Sequence, residues 1–200
     1  MKPVEFLFDF GSPNAYFVHR VLPGLAADAG VEVTYVPILL GGVFKATGNV
    51  SPVQAFAHIP AKLAYQGREM ERFVARHGLT AYRRNPHFPV NTLGVMRGVF
   101  AAKRMGVFEP YVEAVYAAMW ELGLKMDDPE VVVATLDAAG LDGAGLMALA
   151  QDPEVKAELV AATSAAVERG CFGSPTLFVG EEMWFGKEHM AEAVAFAAEG

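Results

Sequence analysis

Cysteine is nearly absent: Cys171 is the one cysteine in 200 residues. No internal disulfide can form, and no thiol pair exists for thiol–disulfide exchange. A single thiol fits a reducing compartment, and a role as a small core hydrophobe suits it. No leader is expected either. Residues 1–3 run directly into an apolar stretch at 4–10, with no basic region, long apolar segment and small-residue cleavage site in series. The cytoplasm is the expected location. No apolar run approaches the ~20 residues that span a bilayer, so no membrane partner is expected. Positive charge is in short supply as well, with 16 Lys and Arg against 23 Asp and Glu, a net charge of −7. A duplex or an anionic surface is repelled on average, and no nucleic-acid partner is expected. The five histidines (His19, His58, His77, His87 and His189) stand at no ligand spacing, and no Cys/His cluster accompanies them. No metal is expected.

Apolar side chains are abundant: 53% of residues are hydrophobic and 20% charged, enough for one substantial core or one domain with a large insertion. Residues 4–10 (Val-Glu-Phe-Leu-Phe-Asp-Phe) read as a buried strand. Gly11-Ser12-Pro13-Asn14 punctuates the chain, and helical spacing resumes up to residue 29. Pro13 suits a first helical turn, Pro23 should kink the helix, and Gly30 suits its end. Residues 31–36 alternate as a second strand, so the opening is β-α-β with a parallel pair. From 37 to about 166 the patterns are helical, over 51–77, 91–105, 108–122, 129–139, 143–150 and 153–169. Strand character returns at 176–179 and 183–185, joined by a turn containing Gly180, a hairpin signal. A last helix covers about 188–198. The expected organisation is a discontinuous unit, 1–36 with 167–200, carrying a helical insertion at 37–166. Trp120 and Trp184 are expected in the core.

Two short segments carry chemistry. At Gly11-Ser12-Pro13 a strand gives way to a helix, where unpaired N–H groups and the helix dipole favour an anion. Ser12 either places its hydroxyl in that field or simply caps the helix. Near the other end, Gly173-Ser174-Pro175-Thr176 precedes a strand. Pro175 is either a tolerated strand-start proline or the second residue of a cis peptide. Together, a βαβ opening, a helical insertion and Ser-Pro-Thr leading into ββα resemble the thioredoxin fold in its DsbA-like form, which implies an α/β class. In that fold the first strand-to-helix turn is the active site and a cis-proline faces it. The usual Cys-x-x-Cys there is replaced by Gly11-Ser12-Pro13-Asn14, and serine cannot supply a low-pKa thiolate.

A further set of motifs narrows the resemblance: Phe8-Asp9-Phe10-x-Ser12-Pro13, Gly48-Asn49, Asn85-Pro86-x-Phe88-Pro89-x-Asn91-Thr92 and Phe185-Gly186-Lys187-Glu188. In this order they resemble the 2-hydroxychromene-2-carboxylate isomerases, sisters of the kappa-class glutathione transferases. The resemblance implies reduced glutathione as cofactor, with Ser12 donating a hydrogen bond to its sulfur. It implies that Ser174, before Pro175, pairs its backbone with the tripeptide, and that Asn49 and Lys62 also contact glutathione. The family pattern Phe-Gly-x-Asp-Arg is here Phe185-Gly186-Lys187-Glu188-His189. Glu188 and Lys187 are thus expected at the γ-glutamyl group, through a longer acid and without the arginine. Lys45, Asn85 and Asn91 are expected on the substrate side. For the two asparagines, local backbone bonding in a Pro-rich loop is an equal reading. Arg83 and Arg84 form either a solvated pair or a carboxylate clamp.

The implied reaction interconverts 2-hydroxychromene-2-carboxylate and trans-o-hydroxybenzylidenepyruvate, in the breakdown of naphthalene-like aromatics. A thiolate adds to the activated double bond, the bond rotates and the thiolate leaves. The partner is then a small aromatic carboxylate. A homodimer fits this kind of enzyme, with no interface legible. Two other functions stand beside it: a kappa-like glutathione transferase, which consumes the thiol, and a non-catalytic peptide-binding module on the same fold.

Overall fold

Alternation along the first strand sets the layers. In the computed structural model, which describes residues 2–200, β1 (Val4–Phe8) points Val4, Phe6 and Phe8 to one face and Leu7 to the other. It pairs in parallel with β2 (Val33–Pro37) and antiparallel with β3 (Thr176–Val179), which pairs antiparallel with β4 (Glu182–Phe185). The order is β2-β1-β3-β4. The parallel pair demands a crossover, supplied by α1 (Pro13–Ala29), as the β-α-β reading requires. Residues 9 and 10, read as strand, instead leave the ladder to form the turn before α1. α1 continues through Pro23 and stops at Gly30, which takes a left-handed conformation (φ 68°).

Between β2 and β3 the chain is helical: α2 (Leu40–Thr47), α3 (Pro52–Ala55), α4 (Pro60–His77), α5 (Leu93–Arg104), α6 (Phe108–Trp120), α7 (Pro129–Ala138), α8 (Gly143–Leu149) and α9 (Pro153–Glu168). α2 was not expected, because the Gly41-Gly42 pair inside it weakens helical patterning. The single helix expected over 51–77 is two. Pro60 supplies no N–H and starts a new helix at its own first turn. A 3-10 turn, Lys187–His189, opens the last helix, α10 (Met190–Glu199).

One face of the sheet carries α1 and α10, with Phe6, Phe8, Leu177 and Val179 in the main core. The other meets α2 and α9 through Leu7, Phe178, Val43, Ala166 and Cys171. Cys171 is fully buried there and its thiol contacts the Gly173 carbonyl at 3.2 Å. Phe8, Phe10 and Tyr116 form edge-on and tilted aromatic pairs, with centroids 4.8 Å apart for Phe10–Tyr116. Each such pair adds about 1 kcal/mol beyond its buried area.

Helix α5 crosses α6 very closely at Gly98, where an added Cβ would lie 2.0 Å from the Tyr111 hydroxyl. That hydroxyl donates to the Val95 carbonyl at 2.8 Å. The crossing positions the far end of α6, where the Trp120 Nε1–H donates to the Phe10 carbonyl at 2.7 Å.

An ionic seam ties α1 to α6. Arg20 reaches Glu113 at 2.7 Å, His19 Nε2 meets Glu113 at 3.1 Å, and the Tyr16 hydroxyl donates to Glu121 at 2.9 Å. The hydrogen bond from His19 leads in holding the Glu113 carboxyl down to about 2, with Arg20 adding to it against the opposing effect of burial. A depressed carboxylate contributes stability that is full above its ordinary pKa near 4.5 and is lost as pH falls toward 2. Glu113 is half exposed, so solvent screening leaves about 1 kcal/mol. Urea unfolding between pH 5 and 2 should therefore show a smaller loss of stability in Glu113→Gln than in the parent. Parallel pH profiles would remove this seam from the acid sensitivity.

Candidate functional site

The site lies where β1 ends, and a buried acid builds it. Asp9 is fully buried, and its carboxylate accepts from the Gly11 N–H at 2.8 Å and the Leu40 N–H at 2.7 Å. The Thr92 hydroxyl also bonds to it. One side chain thus fastens the turn before α1, the start of α2 and the approach to α5. Burial pushes the Asp9 carboxyl up, partly offset by these three hydrogen bonds. The Asp9 N–H donates to the Ser174 hydroxyl at 3.1 Å, joining β1 to the segment before β3.

Ser12 stands at the N-cap of α1, only 6% exposed. The capping reading of Ser12 holds. Its Oγ accepts from the Ala15 N–H at 3.2 Å, which caps the helix, and its proton is donated to the Ser174 carbonyl at 2.8 Å. The Ser174–Pro175 peptide is cis, and Phe88–Pro89, for which no such expectation existed, is cis too. Among the described residues the Ser174 N–H meets no protein acceptor, and it lies in the bend just before β3, beside Ser12. In the first turn of α1, Asn14 Oδ1 is buried without a hydrogen-bond partner.

Beside this turn a groove of about 500 Å³ opens, starting at Pro13 and walled by Leu63 and Met70 of α4 together with Tyr82, Phe88 and Trp120. Arg84 lies on its lining. The two adjacent arginines are not equivalent. Arg83 spends its guanidinium on the Thr80 and Tyr82 carbonyls at 2.7 and 2.8 Å, whereas Arg84 is exposed and faces the groove. A wider surface groove of about 710 Å³ runs along β2 with Tyr35, Lys103 and Phe108. It does not include the α1 turn.

A DsbA-like thioredoxin domain profile matches residues 3–195. The chain belongs to the DsbA-like thioredoxin family. Within it, the chain is similar to a 2-hydroxychromene-2-carboxylate isomerase of Pseudomonas putida, 29% identical over 94% of this chain and 90% of that protein. It is also similar to human glutathione S-transferase kappa 1, 25% identical over 87% of this chain and 79% of that one. A solved structure of a 2-hydroxychromene-2-carboxylate isomerase superposes with a TM-score of 0.83 at 27% identity, covering 98% of this chain and 94% of the other.

In this DsbA-like chain the residues expected around glutathione fall into distinct environments. Asn49 bridges, its Nδ2 donating to the Phe172 carbonyl at 2.8 Å and its Oδ1 accepting from the Val50 N–H at 2.8 Å. Lys62 is exposed on α4 with its ammonium 3.4 Å above the Phe56 ring. Gly186 donates its N–H to the Pro175 carbonyl at 3.0 Å, which places the Lys187–Glu188 segment next to the cis-proline. Lys187 is buried, its ammonium bonded to both Glu188 and Glu69 of α4. Burial raises the Glu188 carboxyl, but the Lys187 hydrogen bond and the local backbone bond outweigh it and leave it lowered. Lys187 is therefore a brace between its two carboxylates, not a free ligand group. Glu188, half exposed, keeps an outward face.

On the substrate side the structure separates the candidates. Asn85 is buried and fully occupied: its Nδ2 donates to the Met119 and Leu124 carbonyls at 2.9 Å, and its Oδ1 accepts from the His87 N–H at 2.8 Å. It clamps the Pro-rich loop onto the end of α6, so the local-bonding reading describes it. Asn91 accepts from the Leu93 N–H at 3.1 Å, likewise a local turn. Lys45 is exposed in the last turn of α2. Trp120 lines the groove as well as packing in the core.

Two site residues escaped the sequence reading. Asp9 had a signal, since an acid inside an otherwise apolar run needs buried donors. Glu69 had none, being one acid among many on a polar helix. Among the described residues there is no group of three or more His, Cys, Asp or Glu that could hold a metal, and no helix long and apolar enough to cross a membrane.

Proposed function

We propose that this chain is a glutathione-dependent cis–trans isomerase that interconverts 2-hydroxychromene-2-carboxylate and its ring-opened trans isomer. The observation that carries this reading is Ser12. A hydroxyl replaces the thiol at the N-terminus of α1, facing a cis-proline loop and adjoining an aromatic-walled groove with Arg84 on its lining. The residues fit a thiol tripeptide. Ser174 offers an unpaired N–H for extended backbone, Asn14 offers a buried unpartnered acceptor, and Glu188 offers a carboxylate for an ammonium.

Glutathione held beside Ser12 would supply a nucleophilic sulfur capable of reversible addition to the activated double bond, with the thiol returned unchanged. With glutathione bound, Ser12 would turn its proton from the Ser174 carbonyl toward the sulfur and, with the Asn14 N–H and the dipole of α1, would favour the anionic form. Arg84 binds the substrate carboxylate, and Tyr82, Phe88 and Trp120 hold the aromatic ring away from water.

The test is turnover of 2-hydroxychromene-2-carboxylate with limiting glutathione, following product and free thiol together. Many turnovers per glutathione with constant free thiol support the isomerase. Stoichiometric thiol loss replaces it with a transferase. Absence of both turnover and glutathione binding leaves the peptide-binding module. The clamp has its own check: Arg84→Met should raise KM for the carboxylate by about tenfold, the worth of one charge-assisted contact, without altering glutathione affinity. Arg83→Met should leave KM unchanged and cost stability instead, since its bonds go to backbone.

A further inference from the structure

We propose that the cavity between α2, α5 and α9 binds a small oxyanion, a carboxylate or a phosphate, held between Arg97 and Lys156. The cavity measures about 180 Å³ and is apolar along Leu39, Leu93 and Leu159, with Arg97 entering from α5 and Lys156 from α9. The same two helices show what these cations lack. Two turns along α5, Arg104 gathers Asp152, Glu154 and Glu158 from α9 and its cap. Among the described residues no acid takes that role for Arg97 or Lys156, and no acid lines the cavity. Arg97 Nε is buried without a hydrogen-bond partner.

In a chain with a net charge of −7, two cations without acids on one part-buried cavity wall repel each other. That arrangement becomes favourable when an anion sits between them. The guanidinium presents a planar fork of donors suited to an oxyanion. Ser164 adds an exposed hydroxyl on the same lining. The neighbouring Thr163 hydroxyl is already engaged, accepting from the Leu39 N–H at 3.0 Å and donating to the Leu159 carbonyl at 2.7 Å. Leu39 directly precedes Leu40, whose N–H bonds Asp9. An anion seated here therefore lies against the start of α2, next to the residue bonded to Asp9.

The experiment is calorimetric titration of the full chain with sodium phosphate and, separately, sodium butyrate, with ionic strength held constant by chloride. One saturable site is expected, weakened at least tenfold in Lys156→Gln and in Arg97→Gln. Lys156 is partly exposed, so its variant remains folded even if Arg97→Gln does not. Tighter phosphate binding assigns the phosphate class, and tighter butyrate binding the carboxylate class. Absence of saturation with both ions, or undiminished binding in Lys156→Gln, overturns the proposal.

Discussion

Replacing Ser12 by alanine should lower isomerisation turnover by about two orders of magnitude, the usual loss when one preorganised donor to a developing anion is removed. The variant should stay folded. Its structural cost is the N-cap bond to the Ala15 N–H and the bond to the Ser174 carbonyl, about 1 kcal/mol for the cap. In a chain of this length that corresponds to a fall of roughly 2–4 °C in Tm. The two readouts therefore separate capping from chemistry. A Tm change of this size with turnover within threefold of the parent, at saturating glutathione, would leave Ser12 a cap and nothing more.

Asp9→Ala should produce the largest loss of stability of any single polar truncation around the site. It strands the Gly11 and Leu40 N–H groups in a part-buried setting, and each orphaned donor costs about 1–3 kcal/mol. Removing a carboxyl whose burial is itself unfavourable returns part of this, leaving about 3 kcal/mol and a Tm roughly 6–12 °C lower. Asp9→Asn keeps one acceptor and should lose about half as much.

The pH dependence of Asp9 has the opposite sign to that of Glu113. Its folded pKa lies above its ordinary value of 3.8, so the folded state holds the proton more tightly. Its contribution is greatest below the ordinary carboxylate pKa and declines as pH rises through the raised one. In chemical denaturation between pH 3 and 8, Asp9→Asn should remove that decline. An unchanged midpoint in Asp9→Ala would mean that the turn, α2 and α5 do not depend on this carboxyl.

The sheet and its order of connections were legible because strands β1, β2 and β3 carry dense apolar patterns with clear stops at Gly30 and Pro175. The geometry of the candidate site was legible at Ser12, which caps α1, and at Ser174-Pro175, whose peptide is cis, because serine and proline at element junctions have few roles. Contacts between segments distant in sequence were not. The spacing of residues says nothing of Asp9 reaching Leu40, nor of Glu69 reaching Lys187. Asn85 shows the same limit from the other side. Its motif suggested a substrate contact, but three backbone groups brought together by the fold occupy its amide. The Arg83–Arg84 pair was indistinguishable in sequence, and only the backbone path brings one to nearby surface carbonyls and the other to the groove.

Helix α4 has one buried residue, Phe73, with Met70 and Val74 packed partly buried beside it, and is pinned to the C-terminal segment by the bond between Glu69 and Lys187. Few apolar contacts and one ionic tie give a low opening free energy for that helix compared with the global transition. In native-state hydrogen exchange, amides of α4 should exchange well before those of α1 or α9, and Lys187→Met should accelerate them further. Because Leu63 and Met70 of this helix wall the groove, that local opening also widens the groove beside Pro13, and on the function proposed above Lys187→Met should change the rate at which substrate enters. On that reading, turnover is open to tuning from α4, a helix distant in sequence from both Ser12 and the cis-proline.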